Sequence, residues 1–150
     1  MTTTAIDQGK TTTQRVAALA SLDRLVGTWQ VSGSEDLRGI VHYEWMNDER
    51  SFLVQHVDLV QNGERSRGIE LIGYHPGRQQ LTSHYFGSEG EPLEYTWRVT
   101  KDTLTIWFGN ETSPARYVGS FSNDANTNSG GWGWPGGGYK SSMTRQPTTA

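Results

Sequence analysis

The sequence predicts an all-β protein, a ten-stranded antiparallel up-and-down barrel with a short N-terminal helix. Apolar and polar residues alternate along ten short segments. Turn residues such as Asn62-Gly63 and Pro135-Gly136-Gly137 separate these segments and favour hairpins over helical crossovers. The 18 Gly, six Trp, six Tyr and four Phe residues suit tight turns around an aromatic interior. A ten-stranded meander removes its exposed edges most safely by closing on itself, and a flattened two-sheet sandwich is the alternative.

The predicted elements follow a polar leader. Residues 1–14 and Gln146–Ala150 are rich in Thr, Gln and Gly, so we expect two disordered tails around a single barrel domain at residues 15–145. Apolar residues recur every three positions from Arg15 to Val26, which predicts a short helix or 3₁₀ turn that caps one end. The strands are expected at Thr28–Gly33, Ile40–Met46, Ser51–Val60, Arg67–His75, Gln79–Phe86, Leu93–Thr100, Thr103–Phe108, Arg116–Ser122, Gly130–Trp134 and Gly138–Arg145.

Trp–Gly patterns mark both ends of the predicted barrel sequence. In Gly27-Thr28-Trp29, the missing side chain of Gly27 would let another backbone approach while the indole plugs the closed base. In the last hairpin, Trp132 and Trp134 alternate with Gly. This pattern predicts a barrel-closing turn with one Trp over the opening, and a ligand-stacking platform is the alternative.

Composition excludes several classes of function. The 13 basic and 16 acidic residues nearly balance and form no basic run, so nucleic-acid binding is not expected. The chain has no cysteine, which excludes disulfides and thiol chemistry and favours a reducing compartment, the cytoplasm. Neither a signal peptide nor an apolar run of membrane-spanning length is present, so no membrane partner is expected.

The second predicted strand supplies aromatic candidates for the wall of a cavity. Residues two apart share a face of a strand, so Tyr43 and Trp45 point one way while His42 and Glu44 point the other. Large aromatic side chains prefer the interior. We therefore expect Tyr43 and Trp45 to line the cavity and bind ligand, with His42 and Glu44 on the solvent side.

His56 and Glu70 are the candidate catalytic residues. If the face of His56 points inward, Asp58 can orient its imidazole as a general base or as a donor to a ligand; otherwise His56 is an ordinary core or rim histidine. Glu70 could act as an acid or base from the next strand. A metal site of His56, His84 and Glu70 lacks tight ligand spacing, so no metal is predicted.

The remaining ligand-binding candidates are aromatic or polar residues of later strands. His84 or Tyr85 is expected to hydrogen-bond the polar end of a ligand. Arg116 would pair with a ligand carboxylate if it points inward, and is otherwise a solvent-exposed residue at a strand end. The other candidates for the cavity wall are Tyr95, Trp97 and Trp132.

Five short segments occur along the chain in an order that resembles a known family. They are Gly27-Thr28-Trp29, Tyr43–Met46, Phe52–Asp58, Ile72–Tyr74 and Trp132–Arg145. Together they resemble the uncharacterised bacterial lipocalin-like proteins of the calycin superfamily, over roughly Leu22 to Arg145. The resemblance implies a ten-stranded barrel akin to fatty-acid-binding proteins and nitrobindins, with a small-molecule cavity. Nitrobindin-like barrels hold haem through a His on a late strand, and this chain has no His after His84, so no cofactor is expected.

Three functions therefore remain open. The first is binding of a hydrophobic small molecule in an aromatic cavity. The second is an isomerase or cyclase, of the kind found in natural-product pathways, that folds its substrate with acid–base help from His56 or Glu70. The third is a structural or homodimer-forming barrel with a filled interior.

Overall fold

A computed structural model of the protein describes residues 5–147, and it is a closed barrel of ten antiparallel strands preceded by a helix. Helix α1 spans Ala5–Ala20, and a 3₁₀ turn follows at Asp23–Leu25. The strands are β1 Gly27–Gly33, β2 Arg38–Trp45, β3 Phe52–Gln61, β4 Glu64–His75, β5 Gln80–Gly87, β6 Leu93–Thr100, β7 Thr103–Phe108, β8 Arg116–Phe121, β9 Thr127–Trp134 and β10 Gly137–Arg145. The predicted fold class is confirmed.

Each strand pairs with the next along the chain, and β10 pairs with β1 from Trp29↔Arg145 to Gly33↔Ser141. This last pairing closes the sheet and leaves no free edge, so the sandwich alternative is wrong. The predicted turn at Asn62-Gly63 has positive φ at both residues, +52° and +80°, as a two-residue hairpin of this hand requires.

The N-terminal helix is longer than predicted. It begins at Ala5, whereas residues 1–14 were expected to be disordered. A helix anchored at one end by buried residues extends without a new nucleation step, so a polar stretch with Ala, Gln and Lys can join it. Residues 1–4 and 148–150 of the predicted tails lie outside the described residues, while the Gln146 backbone N–H donates to Thr28 O at 2.8 Å. No helix within residues 5–147 has the length and apolarity to cross a membrane.

The helix end of the barrel is packed shut. Leu19, Leu22 and Leu25 are buried there beside Trp29, whose indole N–H donates to Leu25 O at 2.8 Å. The prediction that Trp29 plugs the base is confirmed. The group that packs closely against Gly27 was predicted to be another backbone, but it is the side chain of Arg145. A Cβ at position 27 would lie 2.6 Å from the Arg145 guanidinium.

At the opposite end, five hairpin turns surround an opening. The strands meet there through the loops after β1, β3, β5, β7 and β9. The exposed rings of Phe108 and Trp134 stand at this end and also line the interior space. The barrel is therefore a cup with a sealed base and an accessible mouth.

Candidate functional site

The interior of the cup is a cavity of about 490 Å³. It is walled by inward-facing residues of all the strands, because alternate residues of each strand point to the barrel axis. Six of the predicted site residues line it: Tyr43, Glu70, Tyr85, Tyr95, Trp97 and Trp132. The interior is therefore hollow, contrary to the filled-barrel alternative.

Glu70 is the buried charged group of the cavity wall. The Trp97 indole N–H donates to Ser83 Oγ at 2.9 Å and lies 3.3 Å from Glu70 Oε2. The Ser83 hydroxyl donates to the same Oε2 at 2.5 Å. Burial raises the pKa of Glu70 to about 7, and the hydrogen bonds from Ser83 and Trp97 offset part of that rise. A carboxyl with this pKa exchanges its proton near neutral pH.

Two further polar pairs lie on the wall. Gln55 Nε2 donates to the Tyr43 hydroxyl at 2.5 Å, and the hydroxyls of Ser66 and Tyr85 are 2.8 Å apart. Burial raises the pKa of Tyr43 and of Tyr85, so both phenols stay neutral at physiological pH. These hydroxyls offer hydrogen bonds to a ligand without adding charge.

Aromatic rings form the upper wall near the mouth. The Trp132 ring lies 6.0 Å from Tyr95 and 6.1 Å from Tyr117, centroid to centroid. Tyr95 meets Phe108 edge to face at 5.6 Å. Such a cluster provides flat apolar surface for a ring or chain of a ligand.

The charged residues on the cavity wall all carry a carboxyl group. They are Glu70 near the middle of β4, Glu64 at the start of β4 and Glu89 within the β5–β6 loop. Among the described residues, no Lys, Arg or His belongs to the lining. The cavity is therefore apolar with an acidic bias.

Three predicted site residues lie outside the barrel. His56 and His84 are exposed and pair with Glu44 at 3.2 Å and with Glu94 at 3.0 Å. Arg116 is exposed on the outer face of β8, beside Trp134. The inward position that a role in the cavity would require is therefore excluded for both His56 and Arg116, and Arg116 is the solvent-exposed residue at a strand end that was its alternative. The three-residue metal site also fails, because Glu70 points inward while both histidines point outward.

Trp45 faces the barrel axis but lies at the sealed end. Its indole N–H donates to Asp23 Oδ1 at 2.9 Å, which places the ring against the 3₁₀ turn rather than on the cavity wall. The expected position on the cavity wall is not found because Trp45 is the last residue of β2, at the base. In a barrel with one closed end, an inward-facing residue at the base packs against the closing segment and does not line the cavity.

The outer face carries a His–Glu–His cluster, formed by His42, Glu44 and His56. The two imidazoles contact opposite oxygens of the Glu44 carboxylate, at 3.3 and 3.2 Å. Hydrogen bonds from His56 and then His42 hold the pKa of Glu44 below its usual range. The predicted solvent-side position of His42 and Glu44 is confirmed. Within the described residues, no group of His, Cys, Asp or Glu has the arrangement of a metal site.

Sequence reasoning missed several residues of the wall. Gln55, Tyr117 and Tyr139 line the cavity, and Ser83 holds Glu70 from behind. The alternation signal for Tyr117 was present, because Tyr117, Gly119 and Phe121 share the buried face of β8. For Gln55 the pattern was ambiguous, since both alternating faces of β3 contain apolar residues.

No protein-family model matches the chain. No curated protein matches it either. The geometry of the cavity is therefore the main guide to the function of the protein.

Proposed function

We propose that the protein binds a hydrophobic small molecule inside the barrel, as a lipocalin-like binding protein. The observation that carries this proposal is the aromatic-lined cavity of about 490 Å³, with a sealed base and an open mouth. Pockets of roughly 300–1,000 Å³ with apolar walls and a few polar groups are typical of small-molecule sites. The barrel architecture and the lipocalin-like resemblance of the sequence support the same conclusion.

The test is uptake of a neutral hydrophobic dye, N-phenyl-1-naphthylamine, whose fluorescence rises in an apolar site. We expect saturable binding by the wild type and loss of binding in Val57→Trp, because Val57 lines the cavity and a Trp there would fill it. The matched control is His56→Trp, the adjacent residue on the outer face, which should bind dye like the wild type. Equal binding by both variants, or no uptake by the wild type, would contradict the proposal.

A second candidate function is favoured by Glu70. A buried carboxyl with a pKa of about 7 can give and take a proton at neutral pH, as an isomerase or cyclase of a bound apolar substrate requires. In this case Glu70 would be the acid–base residue without His56, which lies on the outer face. Turnover of a bound ligand that is lost in Glu70→Gln, with dye binding retained, would distinguish this function from simple binding.

A further inference from the structure

We infer that the cavity selects a hydrophobic amine, held through its protonated nitrogen by the Glu70 carboxylate, over a hydrophobic acid of the same size. This inference rests on the proposed function and names the class of ligand for the same cavity. It follows from the orientation of Glu70, from the signs of the charges on the wall and from the aromatic rings around them.

Glu70 has one oxygen available to a ligand. Both hydrogen bonds to its carboxyl, from Ser83 and Trp97, go to Oε2. Within the described residues, Oε1 accepts none, and Glu70 belongs to the cavity wall. The two donors fix the orientation of the carboxyl, so Oε1 can accept a charge-assisted hydrogen bond at little further entropic cost.

The other charges on the wall have the same sign as Glu70. Glu64 and Glu89 line the path from the mouth to the centre. A ligand carboxylate would be desolvated among these like charges, and the described part of the chain places no Lys, Arg or His on the lining to receive it. An ammonium group is instead attracted along the same path. The outward position of Arg116 removes the guanidinium that a fatty-acid site would use.

Aromatic faces can support the same cation. The rings of Tyr95, Tyr117 and Trp132 form one cluster, and they line the same cavity as Glu70. A cation over the face of such a ring is attracted by the negative electrostatic potential of that face, so these rings also favour an amine over an acid.

Glu70 is the group in the cavity centre that changes charge near neutral pH. The titratable groups that face it are Tyr43 on β2, Tyr85 on β5 and Tyr95 on β6. Burial raises the pKa of each of these phenols, so all three are uncharged at pH 6–8. Gln55 on β3 and Ser83 on β5 do not titrate, and Glu64 and Glu89 lie farther out. Because an amine binds the carboxylate form, its affinity should fall as Glu70 takes up a proton.

The test is displacement of N-phenyl-1-naphthylamine by three ligands of equal chain length, dodecylamine, 1-dodecanol and dodecanoic acid. We expect dodecylamine to displace the dye at about tenfold lower concentration than dodecanoic acid at pH 7.5, with the alcohol between them. The affinity for the amine should decrease below pH 7, approaching about tenfold for each pH unit. Glu70→Gln should abolish the preference for the amine, and Glu94→Gln, an exposed carboxyl with the same change of charge, should keep it.

Equal displacement by all three ligands, or preference for the acid, would overturn the inference and leave the proposed function intact. Equal loss of preference in Glu94→Gln would also overturn it, because the effect would then come from overall charge. Failure of the wild type to bind dye would instead overturn the proposed function. If Glu70→Gln does not fold, the wild type alone still decides the test, through the ratio of the displacing concentrations of dodecanoic acid and dodecylamine and through the pH dependence of that ratio.

Discussion

Glu70 sits in the barrel wall with an indole and a hydroxyl as its hydrogen-bond partners, and no ion pair to it occurs within residues 12–147. A carboxyl in such surroundings prefers its neutral form, because its charge is desolvated without a compensating cation. The cavity therefore contains a group that is costly to ionise in the absence of ligand. This cost should be measurable in the stability of the empty protein.

The stability of the wild type should fall with pH in a way that Glu70→Gln removes. The folded protein holds the Glu70 proton up to about pH 7, whereas the unfolded chain releases it near pH 4.5. The Glu70 contribution is thus fully present below pH 4.5, declines as pH rises to 7 and is constant above it, a loss of about 3 kcal/mol.

Urea unfolding of both proteins at pH 5, 6, 7 and 8 tests this. The difference in unfolding free energy between Glu70→Gln and the wild type should grow with pH in favour of the variant, because only the wild type carries the Glu70 carboxyl. A difference that does not change with pH would show that Glu70 ionises freely in the folded barrel.

Single residues also mark the limit of sequence reasoning. On β2, alternation and the preference of Tyr43 for the interior assigned the faces correctly, so Glu44 was placed outside. On β3 both alternating sets contain apolar residues, so the pattern did not decide whether Gln55 or His56 points inward. Pairing with β2 and β4 fixes that choice, and a one-residue shift in register would reverse it.

At the scale of elements, the glycines of β9 allow the backbone of β8 to approach. A Cβ on Gly130 would lie 1.8 Å from Val118 O, whereas nothing lies within 4 Å of the Cβ position of Gly133. The Gly-rich hairpin was predicted as a barrel-closing turn, and the close packing of two strands explains why Gly130 is needed in it. The glycines of this Gly–Trp segment therefore differ in how much they contribute to the packing of the strands.

Gly130→Ala should therefore destabilise the barrel and Gly133→Ala should not. The added methyl at position 130 must push apart β8 and β9, at a cost of about 1–3 kcal/mol. The methyl at position 133 enters open space, and its effect should stay within about 0.5 kcal/mol. Thermal and denaturant unfolding of the two variants measure the contrast, and equal stability would refute the packing explanation.

The elements themselves were largely predictable. All ten strands were placed within three residues of their observed bounds, because turn residues such as Asn62-Gly63 and Lys101-Asp102 separate them. The early start of β9 at Thr127 was missed, since Thr127-Asn128-Ser129 has the composition of a loop. Asn128 is nevertheless fully buried, and its side-chain oxygen accepts from the Tyr117 hydroxyl at 2.6 Å. Because Tyr117 belongs to the neighbouring strand β8, the local sequence around Asn128 does not reveal this hydrogen bond.

At the scale of the whole molecule, Arg145 connects the last strand to the segment that precedes the first strand. Its guanidinium lies 4.2 Å from the centre of the Trp29 ring and donates to the carbonyl oxygens of Arg24 and Val26. It thereby joins the end of β10 to the turn before β1, where the base of the cup is sealed. Burial lowers the pKa of Arg145 from a very high value, which leaves the side chain charged.

Arg145→Ala should loosen this seal. Loss of the cation–π contact and of the donors to two carbonyl groups predicts a decrease of about 2 kcal/mol in unfolding free energy. Arg98→Ala is the control, because Arg98 also stacks on an indole, that of Trp107, at 5.0 Å, but reaches an exposed Glu111 instead of backbone groups. The control should lose less than about 1 kcal/mol. Losses of equal size would mean that Arg145 is an ordinary surface residue.

The central claim is that the hollow of the barrel is the ligand site. A crystal structure of the protein with N-phenyl-1-naphthylamine tests it most directly, because it locates the bound dye. Electron density for the dye is expected inside the cup, against Trp97 and Tyr95 and beside Glu70. Density only in the outer groove beside Arg116 and Trp134, with the interior closed by repacked rings, would contradict it.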